Sequence, residues 1–452
     1  QGGLMDGDYA TDMAVDGKGF FGVRNAADDS IFYTRAGNFR FDVNGNLVNP
    51  SGLRVQGFAI DRETGDVDTS VSDVVLPYEE VEIDGEVTRA IVSQPLATTL
   101  VSQAVNLDAN ANDRVSDPNN PFFAMLGRYN AQASGGNPFD DLDVAYSATI
   151  KVWDDAGESH EVTAYFDRVA DSAVSNGGDG YAYWEYVIAM DPSEDAGELA
   201  GTSGAGLLSF GTLTFGPGGE IAGHSAYTYT GASSGATALG SWGLAEFSDD
   251  GIPQFDATFA GASGAAPGSQ TIAWDFGMHS DNGAWVAGAQ TASGVGTNAA
   301  ALGDMGEYTL GAISSTGYPD SMATLSQSQN GYGEGFLDHL SVDRDGFLVG
   351  HFTNGATENL FQIGLYRFPS EYGLLHEGNN LFGQTEASGA ATVGAPDTGG
   401  RGFVAGQSLE ASNTDMAREF ADMIVTQRGF QSNSKVITTS DSILQTTINT
   451  KK

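Results

Sequence analysis

Residues 412–452 constrain this chain more than any other stretch. They contain no proline and a single glycine, Gly429, in a protein with 62 glycines. Five cations (Arg418, Arg428, Lys435, Lys451, Lys452) stand beside four acids (Asp415, Glu419, Asp422, Asp441), a net charge of +1, whereas the whole chain carries −40. The pattern predicts one long helix, opened by a variant capping box at Ser412 and Asp415. Met416, Phe420, Met423, Ile424, Phe430, Ile437, Leu444 and Ile448 recur at mostly three, four or seven residues and form a stripe. Gln427, Asn433, Ser434 and Thr438 to Ser440 interrupt it, so the helix is mixed rather than wholly buried. A helix of roughly 40 residues is about 60 Å long, twice the width of a small domain. A strand-built body cannot cover that length, so the apolar face needs partners outside its own domain. The neutral tail also escapes the like-charge repulsion that an acid coat imposes on copies packed together. Self-assembly through this helix is what the residues alone lead one to expect.

The rest of the chain reads as β. Phe20-Phe21, Ile31 to Tyr33, Phe39 to Phe41 and Leu47-Val48 are short apolar runs separated by Asn- and Gly-rich turns such as Asn44-Gly45-Asn46. Residues 148–153 and 161–169 alternate with period two, with Val162, Ala164 and Phe166 on one face, and residues 181–190, 211–215 and 271–276 continue the pattern. Residues 336–368 return to the hairpin chemistry of the start, with Asp343-Arg344-Asp345-Gly346 echoing Asp42-Val43-Asn44-Gly45. The expected architecture is therefore mainly β, with two or three β domains, one nested in another, plus a long C-terminal α-helix. Residues 1–104 and 323–404 form a discontinuous β domain, 105–322 an inserted domain with room for an extra subdomain, and 405–452 the helix. Residues 93–104 and 317–335 are candidate linkers, and the Gly/Ala/Ser tracts at 201–206, 231–240 and 261–268 are expected as surface loops.

Several chemistries are excluded or poorly supported. With no cysteine, disulfides and thiol catalysis cannot occur. The excess of acids, 59 against 19 cations, repels nucleic acid. No apolar run is long enough to span a membrane. Gly231-Ala232-Ser233-Ser234-Gly235 matches a nucleophile elbow, which needs a strand before it and a helix after it; its flanks are Tyr227 to Thr230 and the Ala/Gly-rich residues 236–240, so a chance match in a Gly/Ser tract is the better reading, and a hydrolase using Ser233 is a rival reading. The Asp42 and Asp343 loops lack the third ligand and the distal glutamate of a calcium loop, so hairpin turns explain them better than a calcium-dependent adhesin does. The six histidines are scattered without metal-ligand spacing and are expected at the surface or in turns. Gly331 to Gly335 reads as a glycine-rich linker, not a phosphate loop. No catalytic residue, cofactor or metal site is expected.

One set of motifs is long and ordered. Met423-Ile424-Val425-Thr426-Gln427-Arg428-Gly429-Phe430-Gln431-Ser432-Asn433-Ser434-Lys435-Val436-Ile437, followed by Asp441 and Leu444, resembles the C-terminal signature of bacterial flagellar rod and hook axial proteins. Leu409 to Asp415 is similar to the entry to that helix. Asp12 to Val15, Gly19 to Phe21, Tyr33 to Phe39 and Gly45 to Val48 are similar to the first β domain of the family. Gln329 to Gly333 resembles a loop of hook proteins, and Tyr146 to Phe166 their inserted domain. The resemblance implies a non-enzymatic hook subunit that polymerises into the curved, flexible tube passing torque from rod to filament. Its partners would be copies of itself, a rod protein at the proximal end, a hook-filament junction protein at the distal end and a hook cap during assembly, with no nucleic acid and no membrane insertion. It further implies an extracellular location reached through the flagellar secretion system without a cleaved signal peptide. The assembly residues it marks are Met416, Phe420, Met423, Ile424, Gln427, Arg428, Phe430, Asn433, Ile437, Leu444 and Ile448. A second helix of the family, expected to precede Gln1, lies outside this sequence. A distal-rod subunit shares both terminal motifs and is distinguished by the inserted region.

Overall fold

The structure is a computed structural model that describes residues 2–450 apart from 63, 84–85, 134–136, 140–142, 179, 232–234, 262–267 and 414. The chain forms two compact units, residues 1–91, 337–352 and 357–452 in one and residues 92–336 and 353–356 in the other. Residues 104 and 323, the boundaries expected from sequence, both fall inside strands of the second unit, Leu100–Asn106 and Ala323–Gln329.

In the second unit, six strands run as an antiparallel meander: Tyr146–Trp153, Ser159–Arg168, Ala182–Met190, Leu207–Phe215, Ile221–Tyr229 and Trp242–Leu244. Period-two alternation sends successive side chains to opposite faces. Ile150, Val162, Phe166, Trp184 and Ile188 meet Val101, Phe259, Ile272 and Trp274 of a second, five-stranded sheet in one core cluster. The other face carries Tyr183, Val187, Phe210, Tyr227 and Trp242, covered by Phe122, Phe123, Met125 and Leu126 from the short turns Pro121–Phe123 and Ala124–Arg128. Phe123 sits edge-on to Phe210 and Tyr227 at 5.1 and 5.3 Å. The middle strands are thus buried on both faces: Leu207–Phe215 is buried almost throughout, although Ser209, Gly211, Thr212 and Thr214 stand among its apolar residues.

The candidate linkers are not free connectors. Leu100–Asn106 and Ala323–Gln329 pair antiparallel in the five-stranded sheet, and Leu96 and Tyr332 exchange backbone hydrogen bonds at 2.9 Å. Their backbone groups are satisfied by each other, which ties the ends of the unit together. The small-residue tracts differ from expectation too. Ala205 and Ala236 are buried, and the Ala236 carbonyl accepts the Trp242 indole N–H at 2.8 Å. Gly268 opens the strand Gly268–Asp275, while 232–234 and 262–267 of those tracts lie outside the described residues.

The first unit is a long sheet in which Phe347–Phe352, Thr357–Ile363, Arg54–Ile60, Phe20–Arg24, Ile31–Thr34, Leu381–Gly383 and Leu375–Gly378 follow one another. Phe20, Tyr33, Tyr366 and Phe368 form an aromatic cluster, with Tyr33 edge-on to Phe368 at 4.7 Å. Two ribbons join the first residues to the last strands: Leu4–Asp6 pairs with Ser408–Glu410 and Met13–Asp16 with Phe403–Gly406. The turn acids serve their own hairpins. Asp42 Oδ1 accepts the amides of Asn44 and Asn46 at 2.8 and 2.9 Å, and Asp343 Oδ1 accepts that of Phe347 at 2.7 Å. Gly45 and Gly346 take φ of +83° and +76°, a conformation that glycine adopts without steric cost.

Candidate assembly surface

The C-terminal helix spans Met416–Thr450 and is about 52 Å long. It starts later than the sequence suggested, because Asp415 rather than Ser412 caps it. The Asp415 carboxylate accepts the amides of Ala417 and Arg418 at 2.9 and 3.4 Å, and its carbonyl takes the Glu419 N–H at 2.9 Å. An aspartate here also places negative charge at the positive end of the helix dipole.

No residue of this helix is buried. Met416, Phe420, Met423, Ile424, Phe430, Ile437, Leu444 and Ile448 lie between 50 and 74% exposed. Gln427, Arg428 and Asn433 are exposed as well, Gln427 beside Met423 and Phe430, Asn433 near the edge of that row and Arg428 one turn beyond Ile424 at the other border of the stripe. Met416, Met423, Phe430, Ile437 and Leu444 are spaced seven apart through the whole helix. A sustained seven-residue repeat drifts slowly around a 3.6-residue helix, so a helix packed along it would wrap with a left-handed twist. Met423, Thr426, Gln427 and Phe430 frame a shallow hollow at positions i, i+3, i+4 and i+7, the outline of a hole that accepts a neighbour's side chain.

A second apolar face escaped the sequence reading. Val425, Val436 and Ile443 are 60 to 67% exposed. Val425 and Ile443 are 18 residues, or five full turns, apart and so point the same way, roughly opposite the Met423–Phe430 row. Ser432, Lys435, Val436, Thr439, Ser440 and Ile443 frame a second hollow there. The signal was the 11- and 7-residue spacing of three β-branched residues, hidden among threonines and serines. Those hydroxyls are already satisfied: Thr426, Thr439, Ser442, Thr446, Thr447 and Thr450 each donate to the carbonyl four residues earlier. A hydroxyl bonded within its own helix can enter an interface without leaving an orphaned donor.

The base of the helix is anchored by charge. Arg35 Nε donates to Glu410 Oε2 at 2.7 Å, and its other nitrogens donate to the carbonyls of Val15 and Gly19 at 2.9 Å each. Gly2 N–H donates to the second oxygen of Glu410 at 2.8 Å. Farther off, burial opposes ionisation of Asp73, but hydrogen bonds from Arg24, Arg54 and Gln56 outweigh it and hold the carboxyl down at about 2.

The competing sites fare as follows. Ser233 lies outside the described residues. Among the described residues no group of three His, Asp or Glu side chains could hold a metal ion. Two histidines depart from the surface positions expected of them. His160 is buried beside Glu194 at 3.0 Å and stacked on Phe259, and His224 is buried with Nε2 2.9 Å from Tyr186 Oη. Burial pushes the His224 imidazole down to about 3, so it stays neutral and serves the core. No helix of the described residues is long and apolar enough to cross a membrane.

Three family models match the chain. Residues 14–95 match one described as Flagellar hook protein FlgE/F/G D1 domain, residues 126–332 one described as Flagellar basal body protein FlaE D2 domain, and residues 405–450 one described as Flagellar basal body rod FlgEFG protein C-terminal. The flagellar hook protein FlgE of Treponema pallidum is 27% identical in an alignment covering 100% of this chain and 82% of that protein. FlgE of Escherichia coli is 26% identical, covering 97% of this chain and 81% of the relative. A crystal structure of Helicobacter pylori flagellar hook protein FlgE2 aligns with 90% of this chain and 100% of that one, at 15% identity and a TM-score of 0.46.

Proposed function

The chain belongs to the bacterial flagellar hook proteins, and from that premise we propose that Met416–Thr450 is the helix through which its copies pack. The family is structural rather than enzymatic: its members polymerise into the hook, at the basal body rod, and the location of this chain is the flagellar hook. The observation that carries the packing proposal is a 35-residue helix with no buried residue and an apolar row repeating every seven. Burying that row together with Phe420, Ile424 and Ile448, eight side chains in all, against neighbours removes about half or more of each from water, a gross gain on the order of 10 kcal/mol per subunit. Association entropy consumes part of this gain. Two opposite apolar faces fit contact with two neighbours, as a closed tube requires, better than contact with one.

In this reading Phe430 and Ile437 anchor one face, and Gln427, Arg428 and Asn433 form the polar margin that sets register. The ends of the tube would meet a rod protein proximally and a hook-filament junction protein distally, with a cap during growth. Export would proceed through the flagellar secretion system without cleavage, and no catalysis takes part. The resemblance of both terminal regions to the axial family supports these extensions. The test is assembly. Phe430→Asp combined with Ile437→Asp should abolish tube formation by electron microscopy while leaving the circular dichroism of the strand regions unchanged. Tubes of normal length from that variant would refute the packing role of this helix.

A further inference from the structure

The six-stranded sheet buries two carboxyl groups side by side. Asp167 and Glu185 are register partners on adjacent antiparallel strands, so both leave the same face of the sheet. They are 0 and 1% exposed. Each uses one oxygen to hold the covering segment: Asp167 Oδ2 accepts the amides of Arg114 and Val115 at 3.0 and 2.9 Å, and Glu185 Oε2 accepts that of Met125 at 2.9 Å. The other oxygens, Asp167 Oδ1 and Glu185 Oε1, are buried without a hydrogen-bond partner.

The surroundings offer no positive charge to the pair. Asp113, on the covering segment, is a third acid, and its Oδ1 is likewise buried and unpartnered. Arg168, next along the strand, turns its guanidinium to the Ala111 carbonyl at 3.1 Å and to Asp171 at 3.2 Å. Arg114 contributes its amide. Thr212, opposite Glu185 on the next strand, is neutral, and burial pushes the hydroxyls of Tyr129 and Tyr227 up so that they stay neutral as well. Among the described residues none of these three acids forms an ion pair with a cation, and no such trio could hold a metal ion. Two ionised carboxylates facing each other in a dry interior are prohibitively unfavourable, and a proton is the remaining neutraliser.

We propose that the Asp167–Glu185 pair is a proton-binding site, and that the bound proton keeps residues 113–125 docked on the sheet, so that alkaline pH loosens this docking. Desolvation raises both groups, Glu185 well above the usual carboxylate range and Asp167 up to about 6. The folded unit therefore holds a proton that the unfolded chain releases near the ordinary carboxylate value. Stability is full below that value and is lost as pH rises through the raised ones, from about pH 4 upward.

All five tryptophans, Trp153, Trp184, Trp242, Trp274 and Trp285, lie in this unit, so their fluorescence reports its unfolding within the full chain. For a two-unit shift such as that of Asp167, the unfolding constant should rise about 100-fold across the titration. Glu185→Gln keeps an oxygen for the Met125 amide and imitates the protonated acid. Its unfolding should be less pH-dependent than that of the wild type, and at pH 9 it should be the more stable chain, whereas the surface variant Glu161→Gln should keep the wild-type slope. Infrared spectra of the native wild type at pH 7 should show the carbonyl band of a protonated carboxylic acid that Glu185→Gln lacks. Absence of that band in the wild type overturns the proposal, even should Glu185→Gln fail to fold. An unchanged pH slope in a folded Glu185→Gln overturns it too.

Discussion

Arg35 shows how one residue of the family-like motif carries structure. Its guanidinium reaches Glu410 across 375 positions of sequence and also holds the carbonyls of Val15 and Gly19, so the start of the chain and the foot of the helix share one partly buried ion pair. Removing one partner of such a pair strands the other, so Arg35→Ala should cost about 3 kcal/mol, measured as a shift in the denaturant midpoint of the first unit by circular dichroism. Gly37, two positions on, has a different role. A Cβ there would stand 1.6 Å from the Met13 carbonyl oxygen, closer than any real contact. Asp73 belongs to this scale as well. Its carboxyl is held below the ordinary value, so its contribution is present above about pH 4 and lost as pH falls toward 2. Asp73→Asn should weaken the first unit at pH 7 and leave its stability at pH 2 nearly unchanged, a difference that urea titrations at the two pH values would read.

At the scale of elements, the helix is the informative one. The seven-residue row of Met416, Met423, Phe430, Ile437 and Leu444 is legible in sequence because periodicity survives without any knowledge of the partner. The opposite face was not legible: Val425, Val436 and Ile443 are too few and too polar in their surroundings to stand out. Val436→Glu with Ile443→Lys should impair polymerisation about as severely as changes at Phe430, and sedimentation of assembled material would measure it. Equal assembly by this variant would leave the helix with one working face. Capping is a smaller effect. Asp415→Ala should lower helix stability by about 1 kcal/mol, seen as reduced ellipticity of the unassembled subunit.

At the scale of the molecule, the two units should answer pH in opposite directions. Asp73 makes the first unit sensitive to acid, and the Asp167–Glu185 pair makes the second sensitive to alkali. Tryptophan fluorescence reports the second unit alone, and far-ultraviolet dichroism reports both. At pH 3 a first dichroism change should precede the fluorescence change on heating, and at pH 9 the fluorescence change should coincide with the first dichroism change, with a second dichroism change following. Coincident transitions at both extremes would show that the units unfold as one.

The sequence by itself determined the class of the protein. Period-two alternation over 148–169, Asn-Gly turns and an uninterrupted helical tail are local properties, written in neighbouring residues. The ordered motifs of both ends added the family. Only the tertiary structure decided which residues meet at long range. Leu100–Asn106 and Ala323–Gln329 looked like connectors because an edge-to-edge pairing between distant segments leaves no local signature. Glu185 carries no local mark that sets it apart among 59 acidic residues, and its burial follows only from Met125 and the covering segment lying over it. Local periodicity fixes how a segment folds, but burial depends on what arrives from elsewhere in the chain. Among the described residues nothing covers the helix Met416–Thr450, and its exposed rows are the surface proposed above for neighbouring subunits.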